Sequence, residues 1–108
     1  MAGIYELQAE VLRMLAHPRR LEMLHLLAEG PLEVGALAAQ LGISQPNASQ
    51  HLALLRGTGL VAVERHGREM RYRLSDPAVM TACEVMRGFL ERRIRQLSSV
   101  AVAAGGQA

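Results

Sequence analysis

Lysine is missing from this chain: all twelve basic residues are arginine. Arginine forks suit bidentate phosphate recognition, but a GC-rich coding bias leaves the same mark, so this absence decides nothing alone. Tryptophan is missing too, beside one phenylalanine and two tyrosines. A core so poor in aromatics has to be assembled from leucine, valine, methionine and alanine, which favours a mostly helical protein. A single cysteine excludes an intramolecular disulfide. No apolar run approaches the length needed to cross a bilayer, and the opening "MAGIYELQAE" lacks the basic, apolar, small-residue order of a secretory signal. The expectation is a soluble, cytoplasmic protein with no membrane partner. Catalytic patterns are also lacking, with no Ser/His/Asp or Cys/His arrangement, no paired carboxylates and no glycine-rich phosphate loop. "GTGL" at 57–60 ends a helix and precedes a strand, the wrong order for a dinucleotide turn. An enzyme is not expected.

What is present fits one domain, since 108 residues can bury a single stable core and leave no room for a second. The net charge of +2 is unevenly spread. Three arginines against four glutamates leave residues 1–30 at −1, five against three put 31–75 at +2, and four against three put 76–108 at +1. A polyanion should meet the middle segment. Ile4, Leu7, Val11 and Leu15 recur at helical spacing and predict a first amphipathic helix over about residues 4–16. Pro18 suits the first turn of a second helix, with Leu21, Leu24 and Leu27 as its buried line and an end near Gly30.

Two short helices follow, joined by "GIS". The first places Leu37 and Leu41 inward and closes at Gly42, which suits a left-handed terminal position. The second begins at Ser44, buries Ala48, Leu52 and Leu55, and ends at Arg56 and Gly57. Together they form a helix-turn-helix over about residues 33–56. After Gly59 the period changes to two. Val61 and Val63 share one strand face, and Met70, Tyr72 and Leu74 share a face of the next, giving a hairpin over about residues 60–74. His66-Gly67 is read as its two-residue turn, with Arg65 and Arg68 at the shoulders and Arg71 and Arg73 on the polar face. A last helix spans about residues 76–97, capped by Asp76 before Pro77. Val79, Cys83, Met86 and Leu90 make one apolar stripe and Ala78, Ala82, Val85 and Phe89 another. That width exceeds what a small core needs, so terminal helices 4–16 and 76–97 are expected to pair with a second copy. The stretch 99–108 is expected to be a disordered tail outside the domain at 1–98.

The start of the second short helix holds Ser44, Gln45, Asn47, Ser49, Gln50 and His51, uncharged where a solvent face would carry lysine and glutamate. One such residue would serve as a cap, the reading that suits Ser44. Several together suit a helix that enters a major groove, where glutamine and asparagine bond adenine edges and serine serves a base or a phosphate. The helix start also offers free amides to a phosphate. With Arg65, Arg68 and Arg71 of the hairpin, these residues are the candidate DNA contacts.

The run "LAHPRRLEMLHLLAEGPLEVGALAAQLGISQPNASQHLALLRGTGLVAVERHGREMRYRLSDP" resembles the ArsR/SmtB family of winged helix-turn-helix transcriptional repressors, over about residues 15–77. That resemblance implies a homodimer that binds double-stranded DNA at an inverted-repeat operator and leaves it when an effector binds. It also implies metal-ligand positions, and these are not filled. Glu33 and Gly35 stand where one sensor type has two cysteines. Asp76 survives at the last-helix site, but Ala78, Phe89 and Arg92 occupy its other places, and apolar or cationic side chains cannot hold a divalent ion. No cofactor and no metal ligand is therefore assigned, although a transition-metal effector at a non-standard site, drawing on His17, His25, His51, His66, Cys83 and several glutamates across a dimer, stays open. Cys83 is also the candidate redox residue, set against a default role as buried filler. The alternatives to an effector-released repressor are a redox-responsive repressor using Cys83 and a winged-helix protein-interaction module.

Overall fold

The computed structural model describes residues 3–105, with side chains through residue 99. Five helices and one hairpin follow in the order α1 (Ile4–Leu15), α2 (Pro18–Leu27), α3 (Val34–Leu41), α4 (Gln45–Gly57), β1 (Val61–His66), β2 (Glu69–Leu74) and α5 (Ala78–Gly105). The expected mainly helical fold with a small β-hairpin is thus observed. The sequence reading has one domain over 1–98, whereas the backbone divides after Pro77 into one compact unit and a second that begins with α5.

In the first unit the core is aliphatic. Met23, Leu24 and Leu27 of α2, Leu37, Ala38 and Leu41 of α3, Ala48, Leu52 and Leu55 of α4, and Leu60 and Val61 at the start of the hairpin are buried, with no buried polar residue among the described residues. Each large aliphatic side chain so placed contributes about 1.5–3 kcal/mol. One inward position differs from expectation. Leu21 is exposed and Met23 takes its place, because α2 turns the 23, 24, 27 ridge toward α3. None of the α1 stripe is fully buried, and Ile4 and Leu7 are exposed.

Local chemistry sets each boundary. His17 caps α2, its Nδ1 accepting from the Arg19 amide at 3.2 Å, and Pro18 follows in the first turn. Gly42 closes α3 at a φ of 67°, where a side chain would be strained. β1 and β2 pair antiparallel with Val61 opposite Leu74 and His66 opposite Glu69. This register puts Val61, Val63, Tyr72 and Leu74 on one face and Glu64, His66, Glu69, Arg71 and Arg73 on the other. Leu32 adds an isolated bridge to Tyr72, with reciprocal bonds of 3.0 and 2.8 Å, and so ties the start of the helix-turn-helix to the hairpin.

The turn is displaced by one residue from the sequence reading. His66 is the last residue of β1, and the two-residue loop is Gly67-Arg68, with positive φ at Gly67 alone. A two-residue turn that needs left-handed backbone only at its first position accepts arginine at the second. The expected tail at 99–108 is corrected as well: α5 continues to Gly105, past the expected end at residue 97. Its last turns are rich in alanine, the strongest helix former, and the glycine at 105 ends them. Residues 106–108 of the expected tail lie outside the described residues.

Candidate nucleic-acid interface

The start of α4 is assembled by three local devices. Gly42 reverses the chain, Ile43 donates its amide to the Ala38 carbonyl at 3.1 Å, and the Ser44 hydroxyl accepts from the Asn47 amide at 3.2 Å. Ser44 therefore caps the helix, while its own hydroxyl hydrogen stays available to a phosphate. Pro46 sits in the first turn, where an amide would have no partner in the helix. Ala48, Leu52 and Leu55 have 0% exposure, which fixes the rotation of α4 about its axis. As a result Gln45, Asn47, Ser49 and Gln50 are all exposed on the sides left over. No residue from Val34 to Leu55 carries a formal charge with histidine neutral, so nothing along α3 or on this edge of α4 repels a phosphate.

His51 parts from this group. It is half-buried, with its ring edge-on to His17 at a centroid distance of 4.6 Å and its Nδ1 accepting from Arg20 Nε at 3.2 Å. Burial, then the neighbouring His17 and Arg20, hold its pKa below the usual histidine value. The structure thus turns His51 toward α2, since it lies three residues after Ala48 and four before Leu55, beside the buried side of α4.

The hairpin arginines are not equivalent. Arg71 is half-buried and bonded to the Glu69 carboxylate at 2.8 Å. Arg73 Nε lies 2.6 Å from Glu64 Oε1, off the N–H axis, so the contact is an ion pair; its Nη1 donates to the Leu74 carbonyl. Glu64 also meets His66 at 3.0 Å. Both carboxyls titrate below the usual glutamate range, Glu64 chiefly through the His66 hydrogen bond and Glu69 chiefly through that from Arg71. Arg65 holds the turn by donating from Nε to the Gly67 carbonyl at 3.1 Å, which leaves the outer edge of its fork open. Arg68 is exposed at the tip itself. Of the expected DNA contacts on the hairpin, Arg65 and Arg68 present charge outward, while Arg71 is neutralised locally.

Two residues that the sequence reading left out share the open side of α4. Ala53 is exposed one turn beyond Ser49 and three residues beyond Gln50, and an apolar side chain there fits a thymine methyl. Arg56 is exposed in the last turn. The signal was present: positions 46, 50, 53 and 57 fall on one helical ridge opposite the buried residues, and Pro, Gln, Ala and Gly keep it low. Cys83 is a free, half-buried thiol on α5. Among the described residues, no three His, Cys, Asp or Glu side chains converge into a metal cluster within one chain. No helix there is long and apolar enough to cross a membrane.

A capped helix with an uncovered polar edge, set on a second short helix and followed by an arginine-tipped hairpin, defines the winged helix-turn-helix class of DNA-binding proteins. The chain belongs to the arsR family of bacterial regulatory proteins, whose pattern it matches over residues 17–63. It is similar to Rv0081 of Mycobacterium tuberculosis, an uncharacterised HTH-type transcriptional regulator. The two are 37% identical over 108 residues, or 97% of this chain and 95% of the relative. The crystal structure of Rv0081 superposes with a TM-score of 0.79 at 36% identity, over 89% of this chain and 97% of that one. The solution structure of the homodimeric winged helix-turn-helix DNA-binding domain Mb0332 from Mycobacterium bovis gives 0.74 at 32% identity, over 84% and 91% of the chains. The transcriptional repressor BigR from Xylella fastidiosa gives 0.68 at 36% identity, over 75% and 83%. The protein is a DNA-binding transcriptional regulator and not an enzyme.

Proposed function

We propose that the protein is a homodimeric repressor of an inverted-repeat operator, with Gln45, Asn47, Ser49 and Gln50 reading base edges and Arg65 and Arg68 holding the flanking phosphates. One observation carries the reading. Four uncharged hydrogen-bonding side chains stand exposed at the start of a helix whose opposite side is completely buried. Glutamine and asparagine pair with adenine in a bidentate way, and serine accepts several partners. Ser44 and the helix start add a phosphate contact. Arg71 joins the hairpin's contacts only when DNA displaces Glu69.

Dimerisation is supported by α5, where Val85, Met86, Phe89, Leu90, Ile94 and Leu97 are each about half exposed or more. Such an apolar surface marks an interaction site. The homodimeric Mb0332 domain supports a second copy as the occupant. Release by an effector is part of the proposal. A metal effector would draw ligands from both subunits, and Cys83 is the residue a redox effector would address.

The test is anisotropy titration of the full chain with duplexes that carry inverted repeats, against scrambled duplexes of equal length. The expected result is tighter binding to a subset, one dimer per duplex, with affinity falling steeply as salt rises. Binding indifferent to both salt and sequence would overturn the reading. Capture of a heterologous protein by α5 in place of a second copy would favour the interaction-module alternative.

A further inference from the structure

The guanidinium of Arg20 sits at a junction of three helices. Its Nε donates to Nδ1 of His51 on α4 at 3.2 Å, while Nη1 donates to the Met14 carbonyl in the last turn of α1 at 3.2 Å and lies 3.5 Å from the Met14 sulfur. Arg20 belongs to α2, so one side chain links α1, α2 and the reading helix. The ring of His17, the cap of α2, makes a T-shaped contact with that of His51. Neither the core nor the DNA edge described above needs these polar contacts. The core is aliphatic throughout, and His51 lies between the buried and the exposed sides of α4.

We propose that Arg20 is a positioning residue that pins His51 and thereby sets the pose of α4 for the groove, and that protonation of His51 withdraws the pin and weakens DNA binding. The chemistry is simple. A neutral imidazole has one nitrogen acceptor, and here it is Nδ1; the imidazolium has none and would present a second donor to the Arg20 N–H. Protonation therefore converts a hydrogen bond into a donor–donor contact between two cations. The environment already disfavours that charge, so His51 stays neutral near pH 7.

The groups that act on His51 come from few directions. α2 supplies His17 and Arg20, and Arg20 is itself held by the uncharged carbonyl and thioether of Met14 on α1. α3, which packs along α4, carries no charged residue. On β1 the charged groups are engaged within the hairpin, Glu64 with His66 and Arg73 and Arg65 with Gly67. No carboxylate among these groups offsets an imidazolium at position 51.

The inference rests on α4 being the DNA-reading helix, so the experiment separates the two. Operator affinity is measured at constant ionic strength from about pH 7.5 to about pH 5.5, the range in which histidine changes charge. Wild type is expected to lose affinity severalfold over this range, the part of the roughly tenfold effect of one hydrogen bond to a charged group that a histidine with a lowered pKa expresses by about pH 5.5. The His51→Asn variant, whose Oδ1 can accept from Arg20 without titrating, is expected to bind like wild type at neutral pH and to show a flat profile. Equal profiles for wild type and H51N would overturn the proposal. So would an affinity that rises on acidification, the behaviour of an imidazolium gripping phosphate. Nitrogen NMR of the free protein reads the pin without DNA: the proton on Nε2 at neutral pH and a depressed His51 titration support it, and a proton on Nδ1 overturns it. Loss of operator binding by wild type at neutral pH with the NMR signature intact would sink the groove assignment alone.

Discussion

Side chains that look alike in sequence divide into different tasks once their partners are known. Gln50 stands on the ridge opposite the core of α4, so Gln50→Ala should cost about 1–3 kcal/mol of discrimination at one base pair, read by titrating operators that differ at that pair. Arg68 tips the hairpin with its guanidinium exposed. Arg68→Ala should weaken binding to all sequences and lower the salt slope by about one. Arg71 is held by Glu69 at 2.8 Å, and removing that carboxylate should release it. Glu69→Gln is therefore expected to steepen the salt dependence, with affinity for scrambled DNA rising. The pH sign follows from the lowered carboxyl values. The ties of Glu64 and Glu69 are complete above the ordinary glutamate value of 4.5 and are lost as pH falls through their depressed values. Four hairpin arginines were legible from composition. Their pairing was not, because it depends on diagonal neighbours across the sheet that only the register supplies.

At the level of elements, the helix-turn-helix was legible almost to the residue, since capping, glycine and apolar spacing all point the same way. Ser44, Gly42 and the 48, 52, 55 spacing each fix one boundary or one rotation. Ser44→Ala should lower stability by about 1 kcal/mol, measured by denaturant melting, with m unchanged. The hairpin turn was misplaced because His-Gly and Gly-Arg are both plausible central pairs, and pairing of His66 with Glu69 decides between them. The end of α5 was misread for a different reason. Small residues near 99–105 signal both a tail and a helix, and alanine's propensity prevails. Leu21 and Met23 exchange roles in α2 because several apolar ridges fit a helix this rich in leucine, and only contact with α3 selects one. By sequence His51 belongs with the uncharged group at the start of α4, and its bond to Arg20, 31 residues earlier, is invisible at that level.

At the scale of the whole molecule, the large apolar residues of α5 from Val85 to Leu97 are exposed. Phe89 is 55% exposed and lies on the broad stripe of α5. Phe89→Asp should shift the assembly toward monomer in analytical ultracentrifugation. Operator affinity should fall with it, because each subunit then binds one half-site without its partner. The uncharged stretch from Val34 to Leu55 bears on how such a regulator behaves in a cell whose ionic composition changes. Its base-reading side chains carry no formal charge, so osmotic stress should thin occupancy at cognate and decoy sequences by a common factor. Promoter ranking would survive a shock that empties many promoters, and the order in which genes are silenced again on recovery would be written in amide and hydroxyl groups alone.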